Sequence, residues 1–236
     1  AIERAFSSIA AAPVTLVCAG RTDAGVHATG QVVHFDVSAV RESRAWIEGG
    51  NSLTADGIRI HWARQVPEDF HARFSATARR YLYVLSDGTP PDALLRDRVA
   101  HFPHVLDASR MREAARHLVG EQDFTSFRAA GCQARHAMRE VLDVAVHRRG
   151  SLLGFEISAN AFLQHMVRNI VGSLALVANG SREPAWIAEL LAARDRTAAG
   201  PAAPPAGLYL VDVTYPDHGD LPKARTILPW ALVRSA

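Results

Sequence analysis

Apolar positions fall into short runs whose spacing changes along the chain. Val14 to Ala19 is an apolar, β-branched run, and Gln31 to Val37 is a second. Between them lie Gly20, Gly25 and Gly30 and the charged cluster Arg21-Thr22-Asp23. Two β-type runs around a glycine-bearing polar loop predict strand, loop, strand. Before them, Ile2, Ala5, Phe6 and Ile9 keep the i, i+3, i+4, i+7 spacing of an amphipathic helix over residues 1–11. After them, residues 43–53 predict a short helix broken by Gly49-Gly50. In residues 57–66, Ile58, Ile60 and Trp62 alternate with polar or small neighbours and predict a strand.

The second stretch carries longer elements. Residues 67–80 form a junction, and Tyr81 to Leu85 reads as a strand that ends at the turn 87–91. Ser109 to Val119 predicts a helix with Asp107 or Ser109 as cap and an apolar stripe of Met111, Ala114, Ala115 and Leu118, stopped by Gly120. Residues 141–148 and 152–159 predict a hairpin around Arg149-Gly150-Ser151. Asn160 is positioned to cap a helix over 161–179 that Gly180 ends. A short helix over 186–193, a proline-rich loop over 198–206 and a strand over 207–215 follow, and the tail from Pro216 has mixed polarity. Helix, strand, strand, helix, strand in the first part is a βαββαβ unit short of its leading strand, and the second part repeats that order with insertions. The expectation is an α+β protein of two halves, 1–78 and 79–236, with antiparallel sheets and an open sheet face like that of RNA-recognition folds.

Composition narrows this only slightly. Hydrophobic residues make up 48% of the 236, ample for a packed core, and no apolar run reaches the length of a membrane span. The two cysteines, Cys18 and Cys132, suggest no disulfide framework and fit a reducing cytoplasm. Net charge is +2, and of the 26 basic residues one, Lys223, is lysine, leaving 25 arginines. Arginine suits phosphate and base-edge recognition, but a coding sequence rich in G and C explains the same bias. The chain opens at Ala1 rather than Met, with no visible signal peptide.

The chemistry concentrates in a few residues. Asp23 reads either as a turn aspartate or as a working carboxylate. A carboxylate that stays ionised while water is excluded needs a nearby cation, because burial alone favours its neutral form. Arg168 is the arginine placed for it, on a mostly apolar helix whose polar stripe is Gln164, Arg168 and Gly172 beside His165 and Asn169. Either that stripe faces water or it carries the partner of a buried acid. Tyr81 and Tyr83 share one strand face, so alternation does not separate them. No Gly-x-Ser-x-Gly, Cys-x-x-Cys or His-Glu-x-x-His occurs. His101 and His104 have no accompanying ligand set, and the other histidines read as structural or surface residues.

The string GRTDAGVHATGQVVHF, residues 20–35, resembles the signature of the tRNA pseudouridine synthases of the TruA family, in which the Asp is catalytic. Three further segments resemble later family motifs in order: ARRYLYVL (78–85), FTSFRAAGCQAR (124–135) and NAFLQHMVRNIVGSL (160–174). The resemblance implies Asp23 as nucleophile, Arg168 as its ion-pair partner, and Tyr81 against the target base. It implies that Arg21 takes the place of an extruded base, that Arg128 and Arg135 meet RNA phosphate or line the cleft, and that Leu208 in GLYL packs near the base, although a plain core role explains Leu208 nearly as well. It further implies two ferredoxin-like or RRM-like βαββαβ halves forming the pseudouridine synthase fold, with the active cleft between them. The implied reaction is isomerisation of uridine to pseudouridine at positions 38, 39 and 40 of the tRNA anticodon stem-loop, through attack at C1′ or at C6. No metal or organic cofactor, a homodimer and a cytoplasmic location complete the expectation. Family members usually carry a strand before the first helix, which this chain lacks. The competing reading is a non-catalytic RNA-binding module on the same scaffold, and a third, a carboxylate-dependent hydrolase, would want a second acid.

Overall fold

The helical spacing at the start of the chain forms α1 (Ile2–Ala10), which buries Ala5, Phe6 and Ala10. The computed structural model describes residues 1–88, 90–216 and 221–223; Thr89 of the predicted turn and the rest of the tail beyond Pro216 lie outside the described residues. The chain divides into two compact units, one of Ala1–Arg21, Gln31–Ala76 and Tyr215–Lys223, the other containing Thr22–Gly30 and Thr77–Thr214.

In the first unit Phe6 packs on Phe35 at 4.9 Å and on Trp46 at 5.4 Å between ring centroids. The two β-type runs form only a two-residue antiparallel ladder, β1 (Val17–Cys18) with β3 (Val33–His34). Residues 43–53 are helical, a π-turn at Ala45–Gly49 running into α2 (Gly50–Leu53). Gly49-Gly50 does not break this helix. A Cβ on Gly50 would lie 2.3 Å from Ile60 Cδ1, so the glycine lets Ile60 press against the helix.

The strand predicted over 57–66 is not formed. Alternation prepares a strand but a ladder needs a neighbour, and here a side chain takes that place. Asn51 donates Nδ2–H to the Ile60 carbonyl at 2.9 Å, and its Oδ1 accepts the Ile60 N–H at 2.7 Å. Satisfying both backbone groups of Ile60 from one amide leaves the segment irregular.

Among the described residues the second unit is built on a seven-stranded sheet. Its strands are β2 (His27–Ala28), β4 (Ala78–Asp87), β5 (Ala100–Phe102), β6 (Gly120–Asp123), β7 (Met138–Arg149), β8 (Leu152–Ala159) and β9 (Leu208–Thr214). The order is β2-β9-β4-β8-β7-β6, with β5 added to β4. The pairs β2·β9 and β4·β5 are parallel and the others antiparallel. β7 and β8 meet in the predicted hairpin, where Gly150 supplies a positive φ of 58°. Leu82 to Leu85 of the interior strand β4 are fully buried; Leu82 and Val84 pack with Tyr209 and Val211, while Tyr81, Tyr83 and Leu85 join the main core.

That core is closed by α3 (Ala108–Ala115), α4 (Met166–Ala178) and α5 (Trp186–Ala193). Asp107 caps α3, its Oδ1 accepting from the N–H groups of Ser109 and Arg110 at 2.7 and 3.2 Å. α4 begins at Met166, not at residue 161 as the sequence predicts. Asn160 does not cap it: its Oδ1 accepts the N–H groups of Ala161 and Glu140, and its own N–H donates to the Glu140 carbonyl, tying it to β7. Residues 160–165 are therefore a loop, and the helix starts where His165 adopts a left-handed φ of 61°.

Candidate active site

The loop bearing Asp23 belongs with the second unit, where its strand β2 pairs with β9. β2 pairs with Tyr209 and Leu210 of β9, and the N–H groups of Thr29 and Gly30 both donate to the Leu210 carbonyl. The His27 ring stacks on Tyr209 at 4.7 Å. Before β2 the chain turns sharply, Val26 N–H donating to the Asp23 carbonyl at 3.0 Å. Gly25 occupies the third position of this turn with φ 81°, where a type II turn requires a positive φ. A Cβ there would also lie 3.1 Å from Pro205 Cγ, so the turn fits closely against the 201–207 loop.

The turn presents the Asp23 carboxylate, about one-third exposed, to the side chains of Arg168 and His165. Arg168 Nη1 lies 3.4 Å from Oδ2, and His165 Nε2 lies 3.2 Å from the same oxygen. The polar stripe of α4 thus does not simply face water. Arg168 is mostly covered, and its Nε donates to the Ala203 carbonyl at 2.8 Å while Ala203 N–H donates to the Arg168 carbonyl at 2.9 Å. Gly172 is what lets that loop come so near, since a Cβ there would collide with the Pro201 carbonyl. Asn169 is buried rather than solvated, donating to the Phe127 carbonyl and accepting from Arg196.

Tyr81 and Tyr83, indistinguishable by alternation, part in the fold. Tyr83 has no exposed surface, and its hydroxyl donates to the Pro204 carbonyl at 2.6 Å. Burial pushes its phenol above the ordinary value, the charge of Arg168 opposing. Tyr83 therefore braces the same loop that holds Arg168. Tyr81 sits at a bulge, where the ladder to β9 skips Val211, and meets Phe162 edge-on at 4.9 Å. Bulges re-aim side chains beside functional sites. Leu208 is buried in the core opposite Tyr83.

Arg128 is committed to main chain: its Nη2 donates to the carbonyls of Cys132 and Ala134 at 2.6 and 2.7 Å and so shapes the 128–134 loop. Ala129 N–H donates to the Gln164 carbonyl, which ties that loop to the residue before His165. Arg135 is exposed on it. Arg21 is exposed and ends the first segment of the first unit.

His165 is the site residue that the sequence reading set aside. The signal was the i, i+3 spacing of His165 and Arg168, which brings two side chains to one side of a helix. Among the described residues no group of three or more His, Cys, Asp or Glu side chains is arranged to hold a metal ion, and no helix is long and apolar enough to cross a membrane. The geometry offers a carboxylate approached at one oxygen by an arginine and a histidine, on a loop paired with the sheet.

Comparison with known proteins agrees across most of the chain. A family model described as tRNA pseudouridine synthase matches residues 114–216. The chain is 54% identical over 222 residues to a tRNA pseudouridine synthase A of Shewanella woodyi, covering 94% of this chain and 85% of the relative. It is 53% identical over 222 residues to one from an Enterobacter species, covering 94% and 82%. A relative of the same name from Shigella boydii is 54% identical over the same shares.

Proposed function

The chain belongs to the family of tRNA pseudouridine synthases, and from that membership we propose that it is the isomerase converting uridine to pseudouridine in tRNA, with Asp23 as the attacking group. The observation that carries the assignment of Asp23 is its pairing with Arg168 on a turn fixed to β9.

The chemistry needs little else. Uridine joins its base to ribose through N1–C1′. The Asp23 carboxylate attacks C1′ and expels uracil at N1, or adds to C6 of the ring; both routes begin with a carboxylate oxygen as nucleophile. The base then turns, C5–C1′ forms, C5 gives up its proton, N1 takes one, and the carboxylate is regenerated. Atoms and electrons balance within the substrate, so nothing is oxidised and no group leaves. Arg168 supplies positive charge beside the Asp23 carboxylate when RNA displaces water from it. Tyr81 supplies an aromatic face for the uracil, Leu208 an apolar wall, and Arg21 a planar group for the gap left in the RNA stack. Arg135 serves RNA phosphate, and Arg128 shapes the loop that carries it.

The same reading assigns the target uridines to positions 38, 39 and 40 of the anticodon stem-loop, the working species to a homodimer and the location to the cytoplasm. It also assigns the two-half pseudouridine synthase fold, with a division near residue 78. In favour of a ferredoxin-like second half is the order β9-β4-β8-β7, in which the first, second, third and fourth strands of a βαββαβ unit lie as 4-1-3-2.

The test is site-resolved pseudouridine formation on an unmodified tRNA transcript, comparing wild type with Asp23→Asn. Product with the wild type and none with the variant, while tRNA binding persists, is the expected result. Tight RNA binding without product from the wild type would instead support the non-catalytic binding module.

A further inference from the structure

We propose that His165 is a positioning residue for this reaction, and that with Arg168 it fixes which oxygen of Asp23 attacks. The inference rests on the reading of Asp23 as the attacking group.

Both side chains have their shortest contact at one oxygen. His165 Nε2 is 3.2 Å and Arg168 Nη1 3.4 Å from Oδ2. Among the described residues Oδ1 accepts no hydrogen bond, and the shortest contact of each of the two side chains is to Oδ2. The terminal torsion of an aspartate is soft, so one cation at one oxygen leaves the carboxylate free to swing. A second side chain placed against the same oxygen narrows that freedom. The bonded oxygen has its lone pairs engaged, while the bare one keeps its own. Oδ1 is therefore the nucleophile, and Oδ2 is the handle by which it is aimed.

His165 itself is held firmly. Its backbone takes the left-handed conformation, uncommon for a residue with a Cβ, at the point where α4 begins. Its carbonyl accepts the Asn169 N–H at 2.9 Å as the helix starts. Leu163 and Met166, which flank it, are buried, and Met166 N–H donates to the Leu163 carbonyl. A side chain on so constrained a backbone reaches Asp23 with little entropy left to lose. Its Nε2 lies 3.2 Å from Oδ2, within reach of a hydrogen bond from a ring protonated at that nitrogen.

The experiment is a single-turnover assay, enzyme in excess over unmodified tRNA transcript, on wild type, His165→Gln, His165→Asn and His165→Ala, with tRNA affinity and thermal melting measured in parallel. Asn is the side chain best suited to a left-handed backbone after Gly, so it preserves the helix start while falling short of Asp23. Misplacement of a reacting group by about 1 Å is worth on the order of 10²-fold in rate, and Asn and Ala are expected to lose about that much in the single-turnover rate with tRNA affinity kept. Gln carries an N–H that reaches further and is expected to restore about a tenth of the wild-type rate, consistent with a looser hold. Wild-type rate in His165→Asn overturns the inference. So does a loss confined to tRNA affinity, or a Gln variant as slow as Ala. Product from the wild type on the same transcript separates failure of this clamp from failure of the enzyme reading.

Discussion

Arg168 Nη1 stands 3.4 Å from Asp23 Oδ2 across 145 positions of sequence. The same guanidinium donates through Nε to the Ala203 carbonyl at 2.8 Å. One planar group thus joins α4, the 201–207 loop and the Asp23 turn, and its geometry depends on donors that point in two directions at once.

Arg168→Lys should separate charge from shape. Lysine keeps the charge, but its three N–H donors radiate from one atom and do not reproduce the planar fork that reaches Ala203 through Nε and Asp23 through Nη1. The single-turnover rate of pseudouridine formation is expected to fall by about 10²-fold. Loss of a charge-assisted hydrogen bond should lower unfolding stability by about 1.5–3 kcal/mol, read by urea denaturation. A lysine variant with the wild-type rate would show that charge alone suffices at this position.

Gly25→Ala tests the turn. The left-handed backbone costs an alanine about 1–2 kcal/mol, and its Cβ must also displace Pro205. Gly150→Ala is the comparison, because Gly150 also has positive φ but a Cβ there would meet nothing within 4 Å. Both variants should melt earlier than wild type. Only Gly25→Ala should also lose product formation, because only that turn carries Asp23. Equal activities in the two variants would argue against a role for the turn in aiming the carboxylate.

His34 sets a pH limit on the first unit. Its Nδ1 accepts the Ala72 N–H at 3.0 Å, and its ring lies 4.7 Å from that of His71. Burial, and then the charge of His71, hold the imidazole below its ordinary value, against an opposing pull from Asp36. The unfolded chain therefore binds a proton that the folded chain resists. Stability from this group is fully present above about pH 6.5 and declines as pH falls through that value. Chemical denaturation between about pH 7.5 and 5 should show a positive slope of stability with pH, shallower in His34→Gln. An unchanged slope in that variant would place the pH dependence elsewhere.

Much of the fold was legible because it is local. The stripe of Met111, Ala114, Ala115 and Leu118, the cap at Asp107 and the Gly150 turn each follow from a few consecutive residues, and each forms as its pattern predicts. Asp23 stood out for the same reason: a charged residue in a glycine-bearing loop between apolar runs is visible without any partner. The misreadings share one cause. Ile58 to Trp62 alternates like a strand, but Asn51 satisfies Ile60 before a ladder can. Asn160 looks like a helix cap, but Glu140 claims it first. Gly49-Gly50 looks like a helix break, but the space it leaves is filled by Ile60. In each case a hydrogen-bonding group or a gap was legible and its taker was not.

By itself, then, the amino-acid order determined the apolar faces, the turns and the residues able to do chemistry, because those depend on spacing and on side-chain type. Only the tertiary structure decided which groups meet. It brought Arg168 and His165 to one oxygen of Asp23, buried Tyr83 while setting Tyr81 at a bulge, and spent Arg128 on its own loop. The physical reason is that a polar group must be satisfied wherever the chain buries it, and its partner is set by which backbone groups the sheet and helices leave unpaired nearby, a property of no single stretch of sequence.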